Sequence, residues 1–278
     1  MKFSLELPGV LQTLLPTTGG DARVLLSLAL EKPSISIKGE GTPQGGKLEL
    51  ICNCPDGERQ ARREAERLRH LVRLELTFRK TEPTTPFSCR VCRPAVVLLA
   101  LSLARGSPRP MEEAEIMLSF RESTILRNIM MGGTMAFLVP EQEPEPPSSP
   151  WTVSYLLPPP GLRIVVAQLP GMEPPRQAQG EGVVILLNAL FRMLWDNELY
   201  HLPYTLKKLA KKMGWGEEGI PFLPVEGEED WYWTPLPSPD ECSRELIAFR
   251  EKLADYLDRE ARERLVTRLS PGGVLEVW

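Results

Sequence analysis

KLELICNC (Lys47–Cys54), DGERQARREAERLRHLV (Asp56–Val72) and RLELTFRK (Arg73–Lys80) read as strand, helix and strand. The first and third segments alternate apolar and polar residues, the two-residue period of a half-buried strand. In the middle segment Ala61, Ala65, Leu68, Leu71 and Val72 form an apolar stripe at helical spacing, and Asp56 stands where a cap is needed. A helix that crosses over between two strands leaves them parallel, so the C-terminal ends of both strands are predicted to share one edge of the sheet. The loop TEPTTPFSCRVCRP (Thr81–Pro94) then runs into AVVLLALSLA (Ala95–Ala104). That run is apolar nearly all round and is predicted to be a buried helix, with Pro94 in its first turn and Gly106 as its stop.

Upstream, KFSLEL (Lys2–Leu7), VLQTLL (Val10–Leu15), RVLLSLALE (Arg23–Glu31) and SISIKGE (Ser34–Glu40) read as strands, with a turn at Thr42–Gly46. Downstream, residues 111–131 are predicted to be a helix, MEEAEIML (Met111–Leu118), with a less regular continuation, RESTILRNIMM (Arg121–Met131), and TMAFLVP (Thr134–Pro140) a strand. WTVSYLLP (Trp151–Pro158) and LRIVVAQLP (Leu162–Pro170) are predicted to be strands, the second central because it is apolar throughout. Val183–Trp195 reads as a long buried helix, Tyr204–Trp215 as an amphipathic one, and Gly216–Glu241 as an acidic loop that carries Trp231, Tyr232 and Trp233. Ser243–Leu265 is predicted to be one charged amphipathic helix, before a glycine turn and a last strand. Both halves mix strands and helices. The expected architecture is therefore α+β and two-layer, with mostly antiparallel sheets covered by helices. The Pro- and Glu-rich segment 141–150 is predicted to link lobes 1–140 and 151–278.

Composition narrows the function classes. Apolar content of 42% and charged content of 25% are those of an ordinary globular protein. The net charge of −4 provides no global attraction for nucleic acid or an anionic membrane. The N-terminus is broken by Glu6, Pro8 and Gly9 and makes a poor signal peptide, so a cytoplasmic location is expected. High proline content and the excess of arginine over lysine are the pattern of a warm-growing, thermophilic source.

Three groups of residues carry candidate chemistry. Cys52 and Cys54 point to one face of a strand, and Cys89 and Cys92 follow the neighbouring strand. Four thiolates brought together there would suit tetrahedral zinc; the alternatives are a redox pair and plain packing. Arg59, Arg62, Arg63, Arg67 and Arg69 lie on the polar side of the first helix, with Glu58, Glu64 and Glu66 among them. They form either a solvated face of internal pairs or, with Arg73, Arg79, Lys80, Arg90 and Arg93, a contact for nucleic acid, phosphate or an acidic partner. The Trp-Tyr-Trp cluster either anchors its loop to the core or marks a partner surface. His70 and His201 have no nucleophile partner, and no metalloprotease, Walker A or dinucleotide-binding motif is present. YTLKKLAKKMGW is similar to the first helix of a helix-turn-helix, but Pro221 and Pro224 come too soon for a recognition helix.

The order of elements resembles the GHMP small-molecule kinase superfamily, especially its diphosphocytidyl-methylerythritol kinase branch. RLELTFRKTEP (Arg73–Pro83) resembles that family's strand ending in lysine and proline, and AVVLLALSLARG resembles its buried helix. GGTMAF (Gly132–Phe137), PPPGLRIVVAQLPG (Pro158–Gly171) and SPGGVLEV (Ser270–Val277) are similar to three further family segments. The resemblance implies a GHMP-like, ribosomal-S5-domain-2-like scaffold that binds Mg-ATP or a phosphorylated metabolite and transfers phosphate to a hydroxyl. It places Ser88, Arg90, Arg93, Gly272 and Gly273 around the phosphates, with Lys80 nearby. The chain departs from the pattern at three places. TTPFSCRVCRP has no glycine where the phosphate loop falls. PGVLQTL (Pro8–Leu14) lacks the lysine of the N-terminal motif. The acidic residue expected before the glycine pair falls near Ile125.

Overall fold

The computed structural model describes residues 2–16, 22–81, 90–105, 110–132, 134–140, 153–156, 163–172, 189, 192–193, 201–212, 219–236, 243–270 and 272–277. Among them eleven strands and six helices form an α+β fold with two open, mostly antiparallel sheets. The strands of the first sheet are β1 (Lys2–Pro16), β2 (Ala22–Thr42), β3 (Gly45–Cys52), β4 (Arg73–Lys80), β5 (Thr134–Pro140), β6 (Val153–Leu156) and β11 (Val274–Val277). Their order is β11-β1-β2-β3-β4, with β5 pairing β2 and β6 pairing β5. The second sheet has the order β10-β7-β9-β8, from β7 (Arg163–Gln168), β8 (Leu223–Pro224), β9 (Trp231–Leu236) and β10 (Glu263–Arg268).

The expected crossover is present. Helix α1 (Gly57–Arg67) connects β3 to β4, which pair in parallel from Gly45↔Arg73 to Cys52↔Lys80. Helix α2 (Cys92–Arg105) is buried, as its apolar circumference requires, with Val96, Val97, Leu98 and Leu101 at most 3% exposed. Strand β1 is continuous through Pro8-Gly9, where its register on β2 shifts. Leu5, Leu7, Ile35 and Ile37 therefore belong to one apolar core, while Leu11, Leu26, Leu28 and Leu30 on the same strands belong to a second. The two long strands thus tie both cores together. The segment 141–150 and most of Val183–Trp195 lie outside the described residues.

Three sequence expectations need correction. Residues 111–131 form two helices, α3 (Pro110–Met117) and α4 (Phe120–Met131), because Ser119 and Glu122 make a capping box that starts a new helix. Arg127 joins the two with bidentate bonds to Glu115 at 2.6 and 2.7 Å. Trp231, Tyr232 and Trp233 are not in a loop. They form the buried strand β9 between β7 and β8, where aromatic side chains fill the pleated surface. Trp233 Nε1 donates to Thr13 Oγ1 at 2.5 Å and the Tyr232 hydroxyl to the Met172 carbonyl at 3.0 Å. Finally, the charged C-terminal helix α6 (Arg244–Glu260) stops early, and Glu263–Arg268 is strand β10, paired with β7. Its neighbour in the second core is α5 (Leu202–Lys212).

Candidate active-site cleft between the two cores

A cleft of about 910 Å³ opens beside the start of α2. Its walls come from α1, from the residues just before and in the first turn of α2, from the N-terminal half of α4, from Gln12 in the middle of β1, and from Gly227 and Glu228 in the β8–β9 turn. Elements far apart in sequence converge here because β1 carries both cores. Glu226 N donates to the Gln12 carbonyl at 2.8 Å, fastening the turn to β1.

Charge in the cleft is dense and balanced. Arg63, Arg67, Arg90, Arg93 and Arg121 line it, opposed by Asp56, Glu64, Glu66, Glu122 and Glu228. Glu64 is only 2% exposed, and such a carboxylate needs strong partners. It takes Arg67 Nε at 2.7 Å and Arg93 Nε at 2.8 Å. Arg93 also pairs with Glu122. Burial alone would lower the Arg93 pKa, but the bonds to Glu64 and Glu122 outweigh it and raise it. Arg93 is therefore the clasp of α1, α2 and α4. On the outer face of α1, Arg59, Arg62 and Arg69 pair with Asp56, Glu58 and Glu66. This is the solvated face of internal pairs that the spacing allowed.

Arg90 is set differently. Its φ is +55°, a left-handed conformation at the approach to α2. Burial lowers its pKa, the charges of Glu226 and Glu228 oppose that, and Arg121 adds to it. The first turn of α2 contains no acidic residue. Its N–H groups and dipole are thus uncompensated by charge from its own first turn, as at helix ends that hold anions.

Gln12 was not singled out in the sequence, although a Gln-Thr pair interrupts an otherwise apolar strand. It is fully buried, its Nε2 donates to Thr124 Oγ1 at 3.0 Å, and its Oε1 has no hydrogen-bond partner among the described residues. It provides an acceptor in the wall of the cleft. Ile125 also lines the cleft, so the position where the family resemblance expects an acidic residue is apolar.

The other sequence candidates are scattered. Lys80 ends β4 at the surface, paired with Cys52 across the ladder, and does not line the cleft. Gly272 and Gly273 pack at the opposite end of α4. There Gly273 N donates to the Ile129 carbonyl at 2.7 Å, and a Cβ on Gly272 would lie 3.2 Å from the Met130 carbonyl oxygen. Ser88 and Cys89 lie outside the described residues.

Of the four cysteines expected to hold zinc, Cys52, Cys54 and Cys92 are described, and all three are buried. Cys54 is disulfide-bonded and provides no thiolate. Cys52 and Cys92 remain thiols, both buried, 3.9 Å apart. The Cys92 hydrogen bond holds the Cys52 pKa down, while the same bond and burial push Cys92 well above its ordinary value. Among the described residues no group of three or more His, Cys, Asp or Glu is placed to hold a metal. The helix α1 begins directly over the thiols. A Cβ on Gly57 would lie 3.0 Å from Cys92 Sγ and 3.2 Å from Cys52 Sγ. Gly57→Ala is therefore expected to destabilise the fold by about 1–3 kcal/mol through overpacking, measured by urea denaturation. An unchanged midpoint would show that the thiols yield without cost.

No family model matches the sequence, and no curated protein sequence matches it. Solved structures do match. The homoserine kinase from Cytophaga hutchinsonii superposes with a TM-score of 0.52 at 11% identity, over 99% of this chain and 97% of that one. The mevalonate kinase of L. major, in complex with R-mevalonate, gives 0.51 at 10% identity over 95% of each chain. A mevalonate diphosphate decarboxylase from Legionella pneumophila gives 0.50 at 14% identity, over 95% of this chain and all of that one. These three belong to the GHMP superfamily, and one of them is not a kinase. A shared fold does not fix the reaction. Among the described residues no helix is long and apolar enough to cross a membrane. The whole-chain resemblance read from the sequence is therefore matched in three dimensions: this chain has the GHMP-type fold over nearly its full length.

Proposed function

We propose that the cleft binds a nucleotide or a phosphorylated small metabolite, with the phosphates seated against Arg90 and the start of α2. The observation that carries this reading is the convergence of Arg90, Arg121 and the first turn of α2, which has no acidic residue of its own, on one cleft between the two cores. Arginine forks and helix N-termini both suit phosphate oxygens. Mg-ATP, which the resemblance implies, fits this chemistry. Magnesium held mainly by phosphate oxygens needs only one or two carboxylates, and Asp56 lines the cleft. The bound cation would offset phosphate charge. Gln12 Oε1 would accept a hydrogen bond from a hydroxyl or amino group of the ligand.

The reading commits to binding ahead of phosphoryl transfer. With Ile125 in the cleft wall, that position supplies no proton acceptor, and a transfer reaction would have to use another carboxylate. Arg93 enters as the clasp of the cleft, since both of its carboxylate partners are already engaged.

Calorimetric titration with Mg-ATP tests the reading. Micromolar binding is expected, weakened about tenfold or more by Arg90→Ala, as loss of a charge-assisted hydrogen bond requires. No heat of binding at millimolar nucleotide would overturn it.

A further inference from the structure

The β8–β9 turn reads Val225-Glu-Gly-Glu-Glu-Asp230, with four acids in six residues. Gly227 and Glu229 are exposed, while Glu226 and Glu228 are half-buried against the cleft. Glu226 forms an ion pair with Arg121, and its side chain is 13% exposed. The other carboxylate oxygen, Oε2, is buried with no hydrogen-bond partner among the described residues. Gly227 lies flat against Arg90, so close that a Cβ there would fall 2.4 Å from Arg90 Nη2, and its φ of +74° is one that glycine adopts without strain. Glu228 lines the cleft beside them.

The turn thus brings carboxylates to the two arginines that a phosphate would need. A carboxylate meets a guanidinium in the same forked geometry as a phosphate, with less charge. The half-used Glu226 carboxylate adds an uncompensated cost to this arrangement. Among the described residues the backbone bonds that fasten the turn are Glu226 N to the Gln12 carbonyl at 2.8 Å, Glu228 N to the Val225 carbonyl at 3.3 Å, Val225 N to the Trp231 carbonyl at 2.8 Å, and Leu169 N to the Asp230 carbonyl at 2.8 Å.

We propose that Glu226 and Glu228 form a built-in competitor for the anion subsite, a pseudo-ligand that holds Arg90 and Arg121 until a phosphate displaces it. The inference rests on the cleft being the phosphate site. It adds that affinity is set by the acidic turn, and that a ligand of higher negative charge, a diphosphate or triphosphate, displaces it better than a monophosphate.

The test is calorimetric titration of the full chain with inorganic pyrophosphate. The wild type is compared with Glu226→Gln/Glu228→Gln and with Glu49→Gln/Glu75→Gln, which removes equal charge away from the cleft. Glutamine keeps the size of each side chain and an oxygen for Arg121, and a thermal melt checks folding. About tenfold tighter binding in the first variant, with no change in the control, is expected. Unchanged or weaker affinity in a folded Glu226→Gln/Glu228→Gln protein, while the wild type binds, overturns the competitor and leaves the cleft reading standing. Equal tightening in both variants also overturns it, since net charge then explains the effect. No binding by any of the three proteins overturns the cleft reading and the competitor with it. If the double variant does not fold, Glu228→Gln alone carries the test, with a severalfold gain expected and no gain overturning the proposal.

Discussion

Arg93→Ala should lower the stability of the protein by about 2–3 kcal/mol, a shift of several degrees in melting temperature for a chain of this size. Glu64 is the reason. It is a carboxylate with 3% of its side chain exposed, held between Arg67 and Arg93. Removal of one arginine leaves a buried anion half-compensated and also takes the arginine from Glu122, which among the described residues keeps only its bonds to Ser119. The cost stays below the about 3–5 kcal/mol of a fully buried pair because Arg67 remains and Arg93 is itself 35% exposed. Arg93→Lys should recover only part of the loss, since an ammonium cannot bridge two carboxylates as a planar fork does. Urea melts of the three proteins decide this. A loss below about 0.5 kcal/mol for Arg93→Ala would mean that the clasp is an ordinary surface pair.

Phe222→Ala should cost more, about 3–5 kcal/mol, the range for deleting a buried ring. Phe222 is 1% exposed in the second core, with its ring centroid 5.5 Å from that of Tyr256 on α6. It lies just before β8 and hence before the acidic turn, so its loss should also loosen one wall of the cleft. Chemical denaturation measures the first effect. A cost under about 1 kcal/mol would show that the second core collapses around the gap and is less tightly packed than its burial indicates.

Much of the fold is legible in residues 47–104, because period and burial agree there. Lys47–Lys80 alternates, turns helical and alternates again, and a parallel β3–β4 pair follows. Strand β9 was not legible in the same way. Pro221, Pro224 and Pro237 flank it and Pro235 lies within it, and its strand character comes from pairing with β7, 63 to 73 residues away. The end of α6 was hidden because Arg262, Glu263 and Arg264 continue the charged pattern of the helix, while pairing with β7 makes Glu263 and Arg264 strand. The α3–α4 break did have a local signal, the Ser119-x-x-Glu122 capping box.

The site divides along similar lines. The Arg90–Arg93 cluster stands out in the sequence, but its division of labour does not. Glu64 reads as one more acid on a charged helix, and only the packing of α1 on α2 and α4 makes it the buried partner of Arg93. Gln12 and the acidic turn meet only because β1 spans both cores, more than two hundred residues of sequence apart.

The most direct test of the central claim is a crystal structure of the protein with magnesium and a non-hydrolysable ATP analogue. The account predicts phosphate density against Arg90 and the first turn of α2, with the Glu226–Glu228 turn withdrawn from the arginines. Phosphates bound elsewhere, or a cleft left empty with the turn still on Arg90 and Arg121, would contradict it.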